Sequence, residues 1–359
     1  MSPLAKKRFA SFWRLRRARW SLLALGAIFL FCLAAEWVCP CDPRAVVDFK
    51  ELEPYRDARV EHTYDIRTVR YSLRADGTVF DYEGPTEIDE ADYERTETKR
   101  DGYVRVYLRP KAPPVAETRT LPPADVSFPF KPCPGHPFGI DAGGRDVYAR
   151  VVHGLRIALL FGLVLALTGM AFGLAVGAVE GYFGGVTDLT LQRFTEIWSA
   201  MPFLYVMIFI GSTVGRSFAV LLVCYAIFNW ISVSYYMRAE FLRLRGRTFV
   251  EAAKVAGFST ARILFVHILP NALTPLITLF PFLLMGAIGS LAALDFLGFG
   301  LPPMTPSCGE LMQEAQQFRY AWWLVVFPAA ALFLVMLLTV FVGEGLRDAF
   351  DPRQQSRME

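Results

Sequence analysis

Residues 251–271 read Glu-Ala-Ala-Lys-Val-Ala-Gly-Phe-Ser-Thr-Ala-Arg-Ile-Leu-Phe-Val-His-Ile-Leu-Pro-Asn, between apolar runs at 217–237 and 268–294. Glu, Ala and Lys are good helix formers, and Gly257 can end a helix in the left-handed conformation. The stretch therefore predicts a short surface helix between two longer apolar helices. The surrounding loop, 238–271, is strongly basic, with Arg238, Arg243, Arg245, Arg247, Lys254 and Arg262 against Glu240 and Glu251.

Long apolar runs dominate the rest of the chain. Hydrophobic residues make up 54% of the 359 residues, and 30 of these are Phe. A helix needs about 20 apolar residues to cross the hydrocarbon core. The sequence therefore predicts an all-α polytopic membrane protein with six transmembrane helices. The runs are 20–38, 157–179, 197–215, 217–237, 268–294 and 320–343.

The first run allows a second interpretation, because a basic leader before an apolar stretch is also typical of a cleaved signal peptide. The run is long for such a segment, and its last residues, Ala-Ala-Glu-Trp-Val at 34–38, make a poor cleavage site. We therefore expect residues 20–38 to be retained as transmembrane helix 1. They follow a basic N-terminal segment, 1–19.

The charges of the loops predict the orientation in the membrane. Segment 1–19 has many basic side chains and no acidic one, which places it in the cytoplasm by the positive-inside rule. Six spans return the C-terminal tail, 346–359, to the same side, and the basic loop 238–271 is cytoplasmic as well. The loop after the fifth run is acidic, as expected of an external loop. We therefore expect a multi-pass membrane protein with both termini cytoplasmic.

Residues 39–150 form a polar insert and connector after the first run. Apolar and polar residues alternate at 69–73 and at 103–108, and an Ala-Asp-Gly turn follows the first of these stretches. Such period-two alternation around a turn predicts β-hairpins, and a Pro-rich connector completes the segment. We predict a small β-leaning extracytoplasmic insert, followed by the remaining five helices in a core at 151–345.

Three of the six cysteines, Cys39, Cys41 and Cys133, lie in this predicted insert. A disulfide from Cys39 or Cys41 to Cys133 is one alternative in an oxidising compartment, and free thiols are the other. The four His show no metal-ligand spacing, so we expect no metal site.

No catalytic motif is present in the sequence. There is no Gly-Lys pair, and hence no phosphate-binding P-loop, and the apolar runs contain no charged pathway of the kind that proton-coupled transporters use. The chain is therefore not expected to be an enzyme or to bind a cofactor, and any transport it performs draws energy from a partner. The net charge of +3 averages opposed segments and indicates no nucleic-acid partner.

Glycines repeat every four residues along the second run. Such spacing gives a helix one smooth face that allows close helix packing in lipid. The face could contact another subunit or the transport pathway, or it could pack inside the bundle. The residues are Gly169, Gly173, Gly177 and Gly181.

Residues 251–271 resemble the EAA loop of binding-protein-dependent ABC importers, which has the pattern E-A-A-x-x-x-G followed by L-P. In that family the loop forms a helix along the membrane surface that docks in a groove of the ATPase. The resemblance implies ATPase docking by Glu251, Ala252, Ala253, Gly257, Leu269 and Pro270.

Other stretches narrow this resemblance to dipeptide and oligopeptide permeases of the "C" type. Residues 136–147 resemble their H-P-L-G-T-D-x-x-G-R-D-V signature, with Ile140 in place of the usual Thr. Residues 294–311 and 343–352 resemble the loop between the fifth and sixth spans and the C-terminal ending, with Cys308 in place of a usual Trp. The insert and residues 181–185 are most similar to the microcin C and oligopeptide importer subgroup.

The resemblance implies a permease subunit of the bacterial inner membrane for peptides or peptide-like solutes, which a periplasmic substrate-binding protein delivers. The implied partners are a second, "B"-type permease subunit, membrane lipid, and two ATPase subunits or one fused ATPase, which bind ATP and Mg. The alternatives are a secondary transporter or channel with an extracytoplasmic domain, and a membrane-anchored receptor or enzyme that acts through the insert. The former class is expected to contain intramembrane charges, a selectivity filter or inverted repeats.

Overall fold

The structure is a computed structural model that describes residues 10–39, 41–56, 59–63, 69–74, 76–83, 93–100, 103–111, 117–121 and 127–350. The chain forms two compact units. The first contains Met1–Val47 and Ser127–Glu359, and the second contains Asp48–Val126. The second unit is thus shorter than the predicted insert, 39–150.

Helices account for most of the described part of the chain. Beside them, Glu53–Tyr55 form one 3₁₀ turn and Ile263–Ile268 form a π-helical segment. The α-helices are α1 (Arg16–Leu33), α2 (Ala35–Val38), α3 (Phe49–Leu52), α4 (Val147–Phe183), α5 (Gly185–Ser199), α6 (Phe203–Thr213), α7 (Phe218–Arg245), α8 (Thr248–Val255), α9 (Thr260–Arg262), α10 (Leu269–Phe296), α11 (Cys308–Gln317) and α12 (Trp323–Phe350).

Four helical segments of the described chain are long and apolar enough to cross a membrane. They are α4, α7, α12 and the continuous segment from α9 to α10. Helices α5 and α6 qualify together as a fifth, although they are bent by 68°. The predicted count of six is therefore not confirmed.

The two remaining runs differ from the prediction for identifiable reasons. The predicted third span, 197–215, is broken before Pro202, which lacks an N–H and restricts the residue that precedes it. The predicted helix 1, 20–38, is divided at Ala34 into α1 and α2. Because α1 begins with three arginines in its first four residues, only its remainder is apolar.

Helix α4 lies at the centre of the helical unit. It packs against α7 and α10, while α12 packs against α10 and α1. The largest buried cluster joins α4, α10 and α12 and contains Phe161, Leu165, Ile288 and Leu324. A second cluster joins α7 and α8 to the segment that leads into α10.

The unit Asp48–Val126 contains the predicted β structure. Strands β2 (Val69–Leu73), β3 (Val79–Glu83), β4 (Tyr93–Arg100) and β5 (Tyr103–Pro110) form an antiparallel sheet in the order β3-β2-β5-β4. A separate antiparallel pair joins β1 (Arg59–Thr63) to β6 (Glu117–Leu121). Val69 lies opposite Leu108, and both side chains are buried in the small core of the sheet. The prediction of a β insert is confirmed.

Candidate functional site

Helix α8 contains the predicted coupling residues. Its C-terminus is a Schellman motif, in which the N–H of Phe258 donates to the carbonyl of Ala253 at 3.1 Å and the N–H of Gly257 donates to Lys254 at 3.0 Å. Gly257 has a φ of +75°, a conformation in which L-residues are strained. The glycine therefore ends the helix as the sequence predicts.

The two faces of α8 differ in burial. Val250 and Ala253 are buried beneath the helix, in the cluster with Phe241 of α7 and with Ile263 and Ile268 of the π-helical segment. Glu251, Ala252, Lys254 and Gly257 are exposed, and Val255 is 90% exposed. The outer face of α8 is therefore accessible for contact, while its inner face anchors the helix to the rest of the chain.

Leu269 and Pro270 begin helix α10 on the other side of the same loop. Leu269 packs against the buried cluster beneath α8, whereas Pro270 is exposed. Pro270 has no N–H to offer to the preceding turn, and the six residues Ile263–Ile268 are π-helical. The side chain of Asn271 donates to the carbonyl of His267 at 2.8 Å. The structure thus brings Ala253 and Leu269 to one cluster, with Glu251 and Pro270 outside it.

Aromatic and cation–π contacts connect residues within the loop between α8 and α10. The ring of Phe258 stacks on His267 with centroids 5.6 Å apart, and the guanidinium of Arg262 lies 4.4 Å from the ring of Phe258. The N–H of Arg262 donates to the hydroxyl of Ser259, which caps α9. These contacts hold residues 257–267 as one folded segment.

The arginines around α8 are partly occupied within the chain. Arg238 donates to Asp188 of α5 through two nitrogens, at 2.5 and 2.8 Å. Arg243 pairs with Glu240, and Arg245 donates to the carbonyl of Tyr182 at 3.3 Å. Arg247 and Lys254, by contrast, are exposed on or next to α8. The positive charge offered to a partner therefore lies close to the exposed helix face.

The four predicted packing glycines lie on the face of α4 that contacts α7. A Cβ at Gly169 would lie 2.5 Å from Asn229 Nδ2, and one at Gly173 would lie 2.5 Å from Val233 Cβ. At Gly177 and Gly181 the nearest atoms are the backbone carbonyls of Ser234 and Arg238, at 2.5 and 2.6 Å. The close helix packing that the glycines permit is therefore between α4 and α7 of this chain.

Helix α4 contains two buried ionisable groups that the sequence did not predict. Helix α4 extends beyond the apolar run 157–179 at both ends, and it buries Arg150 at one end and Glu180 at the other. Neither carboxylate oxygen of Glu180 has a hydrogen-bond partner among the described residues, although Asp188 and Arg238 lie nearby. Counting charges only within apolar runs missed both groups.

Arg150 is the centre of an ionic cluster at the end of α4 remote from α8. Its guanidinium bonds to Asp141, Glu310 and Glu314, and Arg145 also bonds to Asp141 and Glu314. Three carboxylates thus share two guanidinium groups, and burial together with Asp141 raises the pKa of Glu314 despite both arginines. The cluster joins the loop before α4 to α11. Only the 136–147 motif hinted at it, since it contains Asp141 and Arg145.

Comparisons with known proteins match the chain to one family and to several relatives. The family of binding-protein-dependent transport system inner membrane components matches residues 169–356. The inner membrane ABC transporter permease protein YejE of Escherichia coli is 35% identical over 359 residues, with 99% of this chain and 98% of that protein covered.

Two further relatives match a shorter part of the chain. The peptidoglycan transport system permease protein YejE of Agrobacterium fabrum is 45% identical over 219 residues, which cover 61% of this chain and 58% of that protein. The dipeptide transport system permease protein DppC of Haemophilus influenzae is 37% identical over 221 residues, which cover 61% of this chain and 75% of that protein.

Proposed function

Because the chain belongs to the family of binding-protein-dependent transport system inner membrane components, we propose that it imports peptides or peptide-like solutes and that ATP hydrolysis drives it through helix α8. The chain is a membrane permease subunit of an ABC importer. The observation that carries the proposal is a short helix with a buried inner face and an exposed outer face that includes Val255. This arrangement is what docking to a partner requires.

The connections of α8 explain how a displacement of this helix would be transmitted to the membrane-spanning helices. Only Gly246 and Arg247 separate α8 from the long helix α7, and the π-helical segment leads directly into α10. Val250 and Ala253 pack against residues from both sides of this loop. A displacement of α8 would therefore move the ends of α7 and α10 together, as in other transitions in which packed elements shift as a unit.

The family membership supports a set of partners. We propose a "B"-type permease subunit, two ATPase subunits or one fused ATPase that bind ATP and Mg, and a periplasmic substrate-binding protein. Loop 238–271 would then be cytoplasmic and both termini would be on that side, which requires α1 as a sixth span. This membership favours ATP-driven import over a secondary transporter or channel.

The cargo is proposed from the relatives. Their names refer to peptidoglycan and to dipeptides, which share peptide bonds, so we propose short peptides or peptide conjugates as cargo, including molecules like microcin C. Cells that depend on this importer should take up labelled tripeptide or muropeptide, and should become sensitive to microcin C if the narrower proposal is right. Uptake of none of the three would contradict the proposed cargo.

We also propose that the unit Asp48–Val126 helps to dock the binding protein. This unit is one continuous segment between the two sequence stretches of the helical unit, so a short Gly-Ser linker can replace it. The variant should assemble with its partners but lose most uptake. Unchanged uptake would reject this role.

The substitution Val255→Asp tests the coupling role of α8. It places a charge on the exposed face without disturbing the buried one, so the chain should still fold but should no longer retain its ATPase during purification of the co-expressed complex. Val79→Asp is the matched control for ATPase retention alone, because Val79 is 54% exposed on the β sheet that is itself proposed to dock the binding protein. Full ATPase retention and peptide uptake by Val255→Asp would overturn the coupling proposal.

A further inference from the structure

Three potential metal ligands that are distant in sequence meet at the end of helix α4. Cys41, His136 and Asp146 each place a ligand atom within 4.8 Å of the other two. His136 and Asp146 are buried and Cys41 is half-buried. The sequence gives no sign of this site, because the ligands come from the segment after α2 and from the loop before α4.

The local fold holds two of the three groups in place. Cys133 and His136 bond to each other through their backbones, at 3.1 and 2.9 Å, around a turn in which Gly135 has a φ of +93°. Asp146 caps α4 by accepting from the N–H of Ala149 at 2.8 Å, and its second oxygen lies 2.6 Å from Nδ1 of His136. The contact places the imidazole and the carboxylate side by side, where a cation can replace the proton that they share.

The arginines nearest in sequence to Asp146 are bonded to other carboxylates. Arg145 and Arg150, the nearest arginines in the sequence, are bonded to Asp141, Glu310 and Glu314. A buried carboxylate beside an imidazole and a thiol is a site where a cation lowers the cost of burial. One sulfur, one nitrogen and one oxygen ligand suit Zn²⁺, which is borderline between hard and soft ligands.

Cys41 is half-buried and borders a cavity that an ion can enter, and Cys39 borders the same cavity. The cavity measures about 660 Å³ and is also lined by Asp42, Arg44 and Arg156. The group of ligand atoms that lie within 4.8 Å of one another contains Cys41 but neither Cys39 nor Cys133. None of the described cysteines is joined in a disulfide.

We propose that Cys41, His136 and Asp146 form a Zn²⁺ site that joins the segment after α2 to the N-terminus of α4. Zinc bonds of about 2.0 to 2.3 Å need the three ligand atoms to be somewhat closer than 4.8 Å, which side-chain rotation can supply. Water from the cavity completes a tetrahedral set. This proposal departs from the expectation, drawn from sequence spacing, that the chain has no metal site.

Metal analysis of the full chain, purified in detergent, tests the proposal. Wild-type protein washed with a weak chelator should keep about one Zn²⁺ per chain, and Cys41→Ser should bind Zn²⁺ at least about tenfold more weakly. Cys224→Ser, which changes a buried thiol of α7, should retain wild-type zinc. Equal zinc in wild type and Cys41→Ser would show adventitious binding and overturn the proposal.

A second measurement does not depend on how well a variant folds. Co²⁺ added to metal-free wild-type protein should give a thiolate-to-cobalt charge-transfer band in the near ultraviolet, which added Zn²⁺ should remove. Absence of the band would overturn the proposal. So would a Cys41–Cys133 disulfide in a non-reducing peptide map of freshly purified protein, because that bond would consume the thiolate.

Discussion

Arg238 of α7 donates two hydrogen bonds to the carboxylate of Asp188 in α5, at 2.5 and 2.8 Å. Both side chains are largely buried, and α5 makes few other contacts with α7. A two-pronged bond between a guanidinium and a carboxylate fixes direction as well as distance. The pair therefore holds the bent α5–α6 segment against the helix that leads into α8.

Replacement of this carboxylate should weaken the fold. In Asp188→Asn the amide cannot match both guanidinium nitrogens, and a charge is left unpaired, which costs about 1.5–3 kcal/mol. Thermal unfolding in detergent should show a lower midpoint. Glu196→Gln is the control, because Glu196 bonds to an Arg193 that is 75% exposed, and exposed pairs contribute at most about 1 kcal/mol. Equal effects of the two variants would contradict the structural role.

The contact between α4 and α7 predicts the effect of added volume. A Cβ on Gly173 would lie 2.5 Å from Cβ of Val233 and 2.7 Å from the carbonyl oxygen of Trp230. Gly173→Ala should push the helices apart and cost about 1–3 kcal/mol. Gly286→Ala, in α10, meets no atom within 4 Å and should be neutral or slightly stabilising. Thermal midpoints of the two variants measure the difference, and equal midpoints would reject close packing at Gly173.

The ionic cluster around Arg150 predicts a dependence of stability on pH. Burial and Asp141 raise the pKa of Glu314, so the folded state favours the protonated acid more than the unfolded state does. The stability that this adds is complete below the ordinary pKa of glutamate, and it is lost as pH rises through the raised pKa. Glu314→Gln stays neutral at every pH.

The difference between the two proteins should therefore grow with pH. Relative to wild type, Glu314→Gln should gain stability as pH rises from 4 towards neutrality. Chemical unfolding at a series of pH values measures this change. A constant difference, or one that moves the opposite way, would show that the two arginines outweigh burial at this site.

Local patterns predicted the parts of the fold that depend on neighbouring residues. Alternation at 69–73 and 103–108 predicted strands β2 and β5, and Gly257 predicted the C-terminus of α8. The division of the third span was not predicted, because a single proline such as Pro202 is usually tolerated within a membrane helix. The ion pair between Arg150 and Glu310 depends on how α4 and α11 pack. The proximity of Cys41 to His136 depends on two loops that are distant in sequence. Neither contact leaves a pattern within one window of sequence.

The end of α8 gives the most direct test of coupling. Gly257 has a φ of +75° and no atom within 4 Å of a built Cβ, so Gly257→Ala acts through backbone strain of about 1–2 kcal/mol and not through a clash. The strain should loosen the Schellman turn and alter the angle at which α8 meets its partner. Binding-protein-stimulated ATP hydrolysis and peptide uptake should both fall, while the amount of chain in the membrane stays the same.

Gly246 provides the matched control at the other end of the loop. It also has open space around it, but its φ is −90°, which alanine adopts without strain. Gly246→Ala should therefore retain wild-type ATP hydrolysis and uptake in the reconstituted complex. If both variants behave like wild type, the geometry at Gly257 does not set the coupling. If both lose activity equally, the loop tolerates no change, and the specific role of the left-handed residue is excluded.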